Sequence, residues 1–113
     1  MPPDRDSSPT LTPTTFHILL ALGEEPRHGY AVMQEVTVAG VPVGPGTVYG
    51  ALHRMQQAGW VKASGVEKAR GALGKRQRYA LTVAGREVLR QEARRILDTA
   101  DLVRAHRVFV DEG

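Results

Sequence analysis

The chain has 113 residues, enough for one domain with room for an appended helix. It is 42% hydrophobic and contains no cysteine, so a packed core is attainable while disulfides and thiolate metal sites are excluded. The net charge of +3 is unevenly placed: Lys62, Lys68, Arg70, Lys75, Arg76 and Arg78 face a single acid, Glu67, so that stretch carries +5 and the rest of the chain −2.

Residues 1–12 hold three prolines and scattered charges and read as a flexible arm. No basic patch leads into an apolar segment there, and no run approaches the roughly 20 apolar residues of a membrane span. The expectation is a cytoplasmic protein with no membrane contact and no cofactor. Thr12 then offers an N-cap and Pro13 a first helical residue. Phe16, Leu19, Leu20 and Gly23 follow at i, i+3, i+4 and i+7, an amphipathic first helix that stops at Gly23. Glu24 to Arg27 reads as a polar turn. A second helix is expected from about His28 to Ala39, with Tyr30, Val32, Met33 and Val36 buried.

The glycines and prolines between Gly40 and Gly46 cannot continue a helix. The third helix is predicted to start at Pro45 and run to Ala58, with Gly59 as its stop and Val48, Leu52 and Met55 turned inward. Trp60 to Ser64 and Arg76 to Leu81 read as two short strands, joined by a basic, glycine-containing loop from Gly65 to Gly74. Thr82 caps a last helix running to about Arg107. On it Leu89, Ala93, Ile96, Ala100 and Val103 alternate by four and three, a narrow apolar seam that a small domain cannot cover alone. The same helix of a second copy would cover it, giving a twofold homodimer. The alternative is a helix folded back on its own domain.

Three short helices, a β-hairpin and a long helix make a mainly α fold with a small β-hairpin: a winged helix-turn-helix over residues 13–82, with a C-terminal dimerisation helix over 83–113. A helix fits the DNA major groove, where its outward side chains reach base edges. The outward face of the third helix carries Thr47, Tyr49, Gly50, His53, Arg54 and Gln57, with no acid to repel phosphate. In the wing, Lys68, Arg70, Lys75, Arg76 and Arg78 are placed for phosphates or the minor groove. Double-stranded DNA is the partner these features point to. A winged helix that docks only on protein would need no cationic wing. An enzyme is disfavoured because His17, His28, His53 and His106 are dispersed, without metal-ligand or nucleophile–base spacing.

Three ordered motifs also resemble the PadR-like regulators. The run from Ile18 to Tyr30 (ILLALGEEPRHGY) is similar to their first helix and the Pro-x-His-Gly-Tyr turn. Gly44 to Tyr49 (GPGTVY), with Ala51, Leu52, Arg54, Met55 and Gly59, resembles their recognition helix. Gly74 to Tyr79 (GKRQRY), Leu81, Thr82, Gly85 and Arg86 resemble their wing and the start of their dimer helix. The resemblance implies a homodimeric repressor in which Pro45, Thr47, Tyr49 and Arg54 face DNA and Lys75, Arg76 and Arg78 lie in the wing. It also implies that a small hydrophobic or aromatic effector, where a member has one, binds near the dimer helices. The chain departs from the pattern at Gly50, where many members have proline. It also lacks the proline usual beside the wing arginines, has one tyrosine (Tyr79) where two often occur, and has Trp60 in place of an aliphatic residue.

Overall fold

A computed structural model describes residues 11–68 and 75–110. The expected arm and Arg70 therefore lie outside the described residues, apart from Leu11 and Thr12. Four helices and a small antiparallel sheet follow in the order α1 (Pro13–Glu24), β1 (Arg27–His28), α2 (Gly29–Val38), α3 (Pro45–Gln57), β2 (Val61–Lys68), β3 (Lys75–Leu81) and α4 (Val83–Ala105). The winged-helix arrangement expected from the order of elements is present.

Local chemistry sets most of the boundaries. The Thr12 hydroxyl accepts from the Thr15 amide at 3.2 Å with Pro13 in the first turn, and the Thr82 hydroxyl accepts from Gly85 at 3.0 Å. Gly40 and Gly59 end α2 and α3 at positive φ. In each case two backbone bonds close the turn: Gly40 to Thr37 and Val41 to Val36, then Gly59 to Gln56 and Trp60 to Met55. These paired bonds satisfy the last helical carbonyls.

The core joins Ile18, Leu19 and Leu22 of α1 to Val32 and Val36 of α2, Val48, Leu52 and Met55 of α3, and Val61 and Leu81 of the sheet. Burying each large side chain stabilises the fold by roughly 1.5–3 kcal/mol. Two expected inward residues are not in it. Leu20 is exposed because α1 packs against α2, β3 and α4, so its buried arc runs through Ile18, Leu19, Ala21 and Leu22 instead. Tyr30 is 52% exposed, because two residues of helix turn it about 160° away from Val32.

The sheet is larger than the expected hairpin. Arg27 and His28, read as the end of a turn and the start of a helix, form β1 and pair with Tyr79 and Arg78, giving the strand order β1-β3-β2. Strand β2 continues past Ser64 to Lys68, with an irregularity between Ala63 and Gly65 where Gly65 has φ +138. The segment Gly65 to Lys68, expected as loop, is thus strand. Arg27 is a hub of the fold: its Nε donates to the Ala21 carbonyl at 2.9 Å and its guanidinium reaches Glu24 at 2.6 Å, with Glu25 and Glu35 within 3.8 Å.

Helix α4 leaves the domain as it proceeds. Gly85 lies against the Trp60 carbonyl, and Leu89 packs on the core beside Gly23. From Asp101 onward every described residue is exposed, including Leu102, Val103, Val108 and Phe109. Trp60 itself is half-buried against the core. Among the described residues no helix is long and apolar enough to cross a membrane.

Candidate nucleic-acid interface

Helix α3 buries Val48, Ala51, Leu52 and Met55, which turns Pro45, Thr47, Tyr49, His53, Arg54 and Gln57 to the surface. That face holds no acid, and neither His53 nor Arg54 is ion-paired among the described residues. Gly50 is half-exposed, with the Arg54 guanidinium 3.6 Å from where its β-carbon would stand. Pro45 sits in the first turn behind the Gly44 cap, which has no side chain to occupy the first amides.

Tyr49 is 47% exposed, yet its ring is not free in solvent. It lies across Gly29, the first residue of α2, where a β-carbon would overlap its hydroxyl edge. The α2 start is built by His28, whose Nδ1 accepts from the Ala31 amide at 3.3 Å as an N-cap. The Nε2 of the same ring faces Arg76 Nη1 at 3.1 Å. Tyr79, on β3, is close enough to Tyr49 that its phenol is held above the usual range, mainly by burial and then by that hydroxyl.

The wing residues divide by position. Lys68 and Lys75 are register partners at the far end of β2 and β3. Arg76 and Arg78 lie closer to the sheet's base. Arg76 reaches His28, and Arg78 donates to the Pro26 carbonyl at 3.3 Å, so both tie the wing to the start of α2. Glu67 stands opposite Arg76 in the register.

The structure thus brings Tyr49, Arg76 and Arg78 together with two residues that sequence reasoning did not assign to the site, His28 and Tyr30. The signal for Tyr30 was present, since Val32 and Val36 define the buried face of α2 and Tyr30 falls opposite it. The capping of α2 by His28 is local, but its approach to Arg76 depends on the pairing of β1 with β3, which no local pattern carries.

Of the five seam residues, Leu89 faces the chain's own core. Ala93 and Ala100 are half-buried, and Ile96 and Val103 are exposed along α4. Beside them Glu92 is buried and accepts from Arg95 at 3.0 and 2.5 Å. The Arg95 hydrogen bonds, followed by its charge, hold the Glu92 carboxyl below the usual carboxylate range against the opposing effect of burial.

Residues 18–91, from α1 into α4, match the description "Transcriptional regulator PadR-like family". The chain belongs to this family. By that description, the PadR-like family is one of transcriptional regulators. It is also 39% identical over 77 residues to an uncharacterised 37.1 kDa protein in transposon TN4556 of Streptomyces fradiae. The match takes in 67% of this chain and 21% of that protein, so the chain spans about a fifth of its relative's length. In fold it is similar to a PadR family transcription regulator from hypervirulent Clostridium difficile R20291, with a TM-score of 0.72 at 21% identity, over 84% of this chain and 98% of that one. It is similar too to Bacillus subtilis PadR in complex with operator DNA, with a TM-score of 0.59 at 18% identity, over 68% of this chain and 44% of that one. At these identities the two likenesses are of fold.

Proposed function

We propose that this chain binds duplex DNA as a homodimer and represses transcription from an inverted-repeat operator in the cytoplasm. The observation that carries the reading is the acid-free exposed face of α3 standing beside a cationic wing. Thr47, His53 and Arg54 would read base edges, Arg54 being suited to a two-pronged contact with guanine. Pro45 and Tyr49 would lie along the same groove. Lys68, Arg70, Lys75, Arg76 and Arg78 would meet backbone phosphates or the minor groove. Pairing through Ala93, Ile96, Ala100 and Val103, with Leu89 at the domain end of the seam, would set the two α3 helices about 34–36 Å apart on one DNA face. Bacillus subtilis PadR, to which the chain is similar in fold, was solved in complex with operator DNA, which supports the DNA-binding part of this reading.

Fluorescence anisotropy on DNA from the protein's own upstream region, at two salt concentrations, tests this. Specific binding with a log–log salt slope of about 0.9 per neutralised phosphate is the expected result. No binding at low salt would reassign the wing to a protein partner. For a small hydrophobic or aromatic effector, one cleft along α4 is lined by Glu87, Arg90, Gln91, Arg94, Arg95 and Asp98, all polar. An apolar compound would therefore bind where Ile96 and Val103 meet a second copy. A screen of phenolic and hydrophobic compounds that shifts neither Tm nor DNA affinity removes the effector from the reading.

A further inference from the structure

The cleft between the start of α2, the ring of Tyr49 and the base of β3 has a volume of about 420 Å³ and is lined by His28, Gly29, Tyr30, Tyr49, Arg76 and Gln77. We propose that it is a phosphate seat, which takes one phosphodiester of the DNA backbone between Arg76, the His28 Nε2 and the Tyr49 hydroxyl. The proposal rests on the DNA-binding reading and adds to it His28, the N-cap of α2, as the group that joins the recognition face to the wing.

The hydrogen bonds of one imidazole decide what the cleft can hold. Two donors address His28: the Ala31 amide at Nδ1 and the Arg76 guanidinium at Nε2. A neutral imidazole has one bare nitrogen, so it can accept from only one of them. With Nδ1 accepting as the helix cap, Nε2 carries a proton and points it at Arg76. Two N–H groups then converge with no acceptor between them. An anionic oxygen placed there accepts from both at once, and charge-assisted bonds of this kind are the strong ones.

The rest of the lining suits the same ligand. It contains no carboxylate. The Gln77 amide is already engaged, donating to the Gly65 and Arg78 carbonyls at 2.8 and 2.7 Å, so it does not compete for the site. Tyr49, held over Gly29, presents a phenol at one wall, and half-exposed Tyr30 adds a second. A phenol donates to a phosphate oxygen without adding charge. Because the seat is built from α2, α3 and β3 together, a phosphate in it fixes the wing's angle to the recognition helix.

Two variants test the seat without dismantling it. His28→Asn keeps a capping oxygen for the Ala31 amide and loses the Nε2 donor. Tyr49→Phe keeps the ring on Gly29 and loses the hydroxyl. The probe is a mixed-sequence duplex of about 30 base pairs at low salt, read by anisotropy, with circular dichroism melts of each protein beside it. Failure of the wild type to bind this duplex or its upstream DNA would remove the DNA reading itself. With wild-type binding in hand, each variant should bind about tenfold more weakly at unchanged Tm, as loss of a hydrogen bond to a charged group implies. Should His28→Asn prove misfolded, Tyr49→Phe alone decides. Affinities within twofold of wild type would overturn the proposal.

Inorganic phosphate separates the DNA backbone from a free anion as the source. Added to the wild type without DNA, it should shift the His28 ring signals in NMR. It should also compete with the duplex more than chloride does at equal ionic strength, and this excess should vanish in His28→Asn. Phosphate that binds at His28 while both variants retain full DNA affinity would assign the seat to a free anion and overturn the DNA assignment.

Discussion

The ring of Tyr49 lies across Gly29, so a β-carbon at position 29 cannot be added while the tyrosine stays where it is. The obstructing atoms are the far end of a half-exposed side chain, which can swing outward. Gly29→Ala should therefore fold with Tm close to wild type and bind DNA about tenfold more weakly, because the phenol has left its place. Combining it with Tyr49→Ala should cost no more affinity than Tyr49→Ala alone, since both remove the same contact. Anisotropy on the four proteins of this cycle is the measurement. Additive losses would separate the two residues.

Two further glycines should respond in opposite directions. A β-carbon on Gly85 would run into the backbone carbonyl of Trp60, and neither α4 nor the end of the β2–β3 ladder can move aside, since Thr82 is bonded to Trp60 and Gly59. Gly85→Ala should destabilise by about 3 kcal/mol, the upper part of the range for overpacking. Gly50 sits inside α3 with only the flexible Arg54 guanidinium nearby. Gly50→Ala should stabilise by about 0.5–1 kcal/mol, as expected for removing a glycine from a helix interior. Urea unfolding of both variants checks the pair.

Glu92 and Arg95 give the fold an acid-sensitive contact. The folded Glu92 carboxyl titrates below its unfolded counterpart, principally because Arg95 donates two hydrogen bonds to it. A depressed carboxyl contributes stability above its unfolded pKa and loses it as pH falls through the folded value. Wild type should therefore lose more Tm than Glu92→Gln between about pH 7 and pH 3. Parallel losses in the two proteins would show that the pair contributes nothing measurable.

What the sequence disclosed depended on whether a feature was local. Thr12, Pro45, Gly59 and Thr82 act within one turn of themselves, so the helix starts and the α3 stop could be read directly. The inward stripe Val48, Leu52 and Met55 follows from helical period alone. Strand β1 could not be read, because two residues have no period and Arg27 and His28 are held by partners some 50 residues away on β3. Tyr30, expected among the buried residues of α2, is exposed, as the helical period set by Val32 and Val36 requires. For the candidate interface, the exposed face of α3 was legible. The junction of His28, Tyr49 and Arg76 was not, since it exists only once α2 and β3 meet.

The seam on α4 leads to the prediction with the widest consequences. Leu89 already packs beside Gly23, so replacing it should weaken the domain itself. Ile96 and Val103 lie further out, where α4 has left the domain and the chain provides no cover. A charge at either position would leave the isolated chain almost unaffected but would be buried without a partner in a helix pair, at a cost of several kcal/mol. Ile96→Glu and Val103→Glu should each shift sedimentation equilibrium from dimer to monomer, with the far-ultraviolet spectrum of the domain retained. The same variants should bind an inverted repeat no better than a single half-site, because the second α3 is no longer tethered at its spacing. Leu102→Glu, about 100° around the helix from Val103 and about 160° from Ala100, should stay dimeric and serves as the control. A dimer that survives both Ile96→Glu and Val103→Glu would place the twofold contact on another face of the protein.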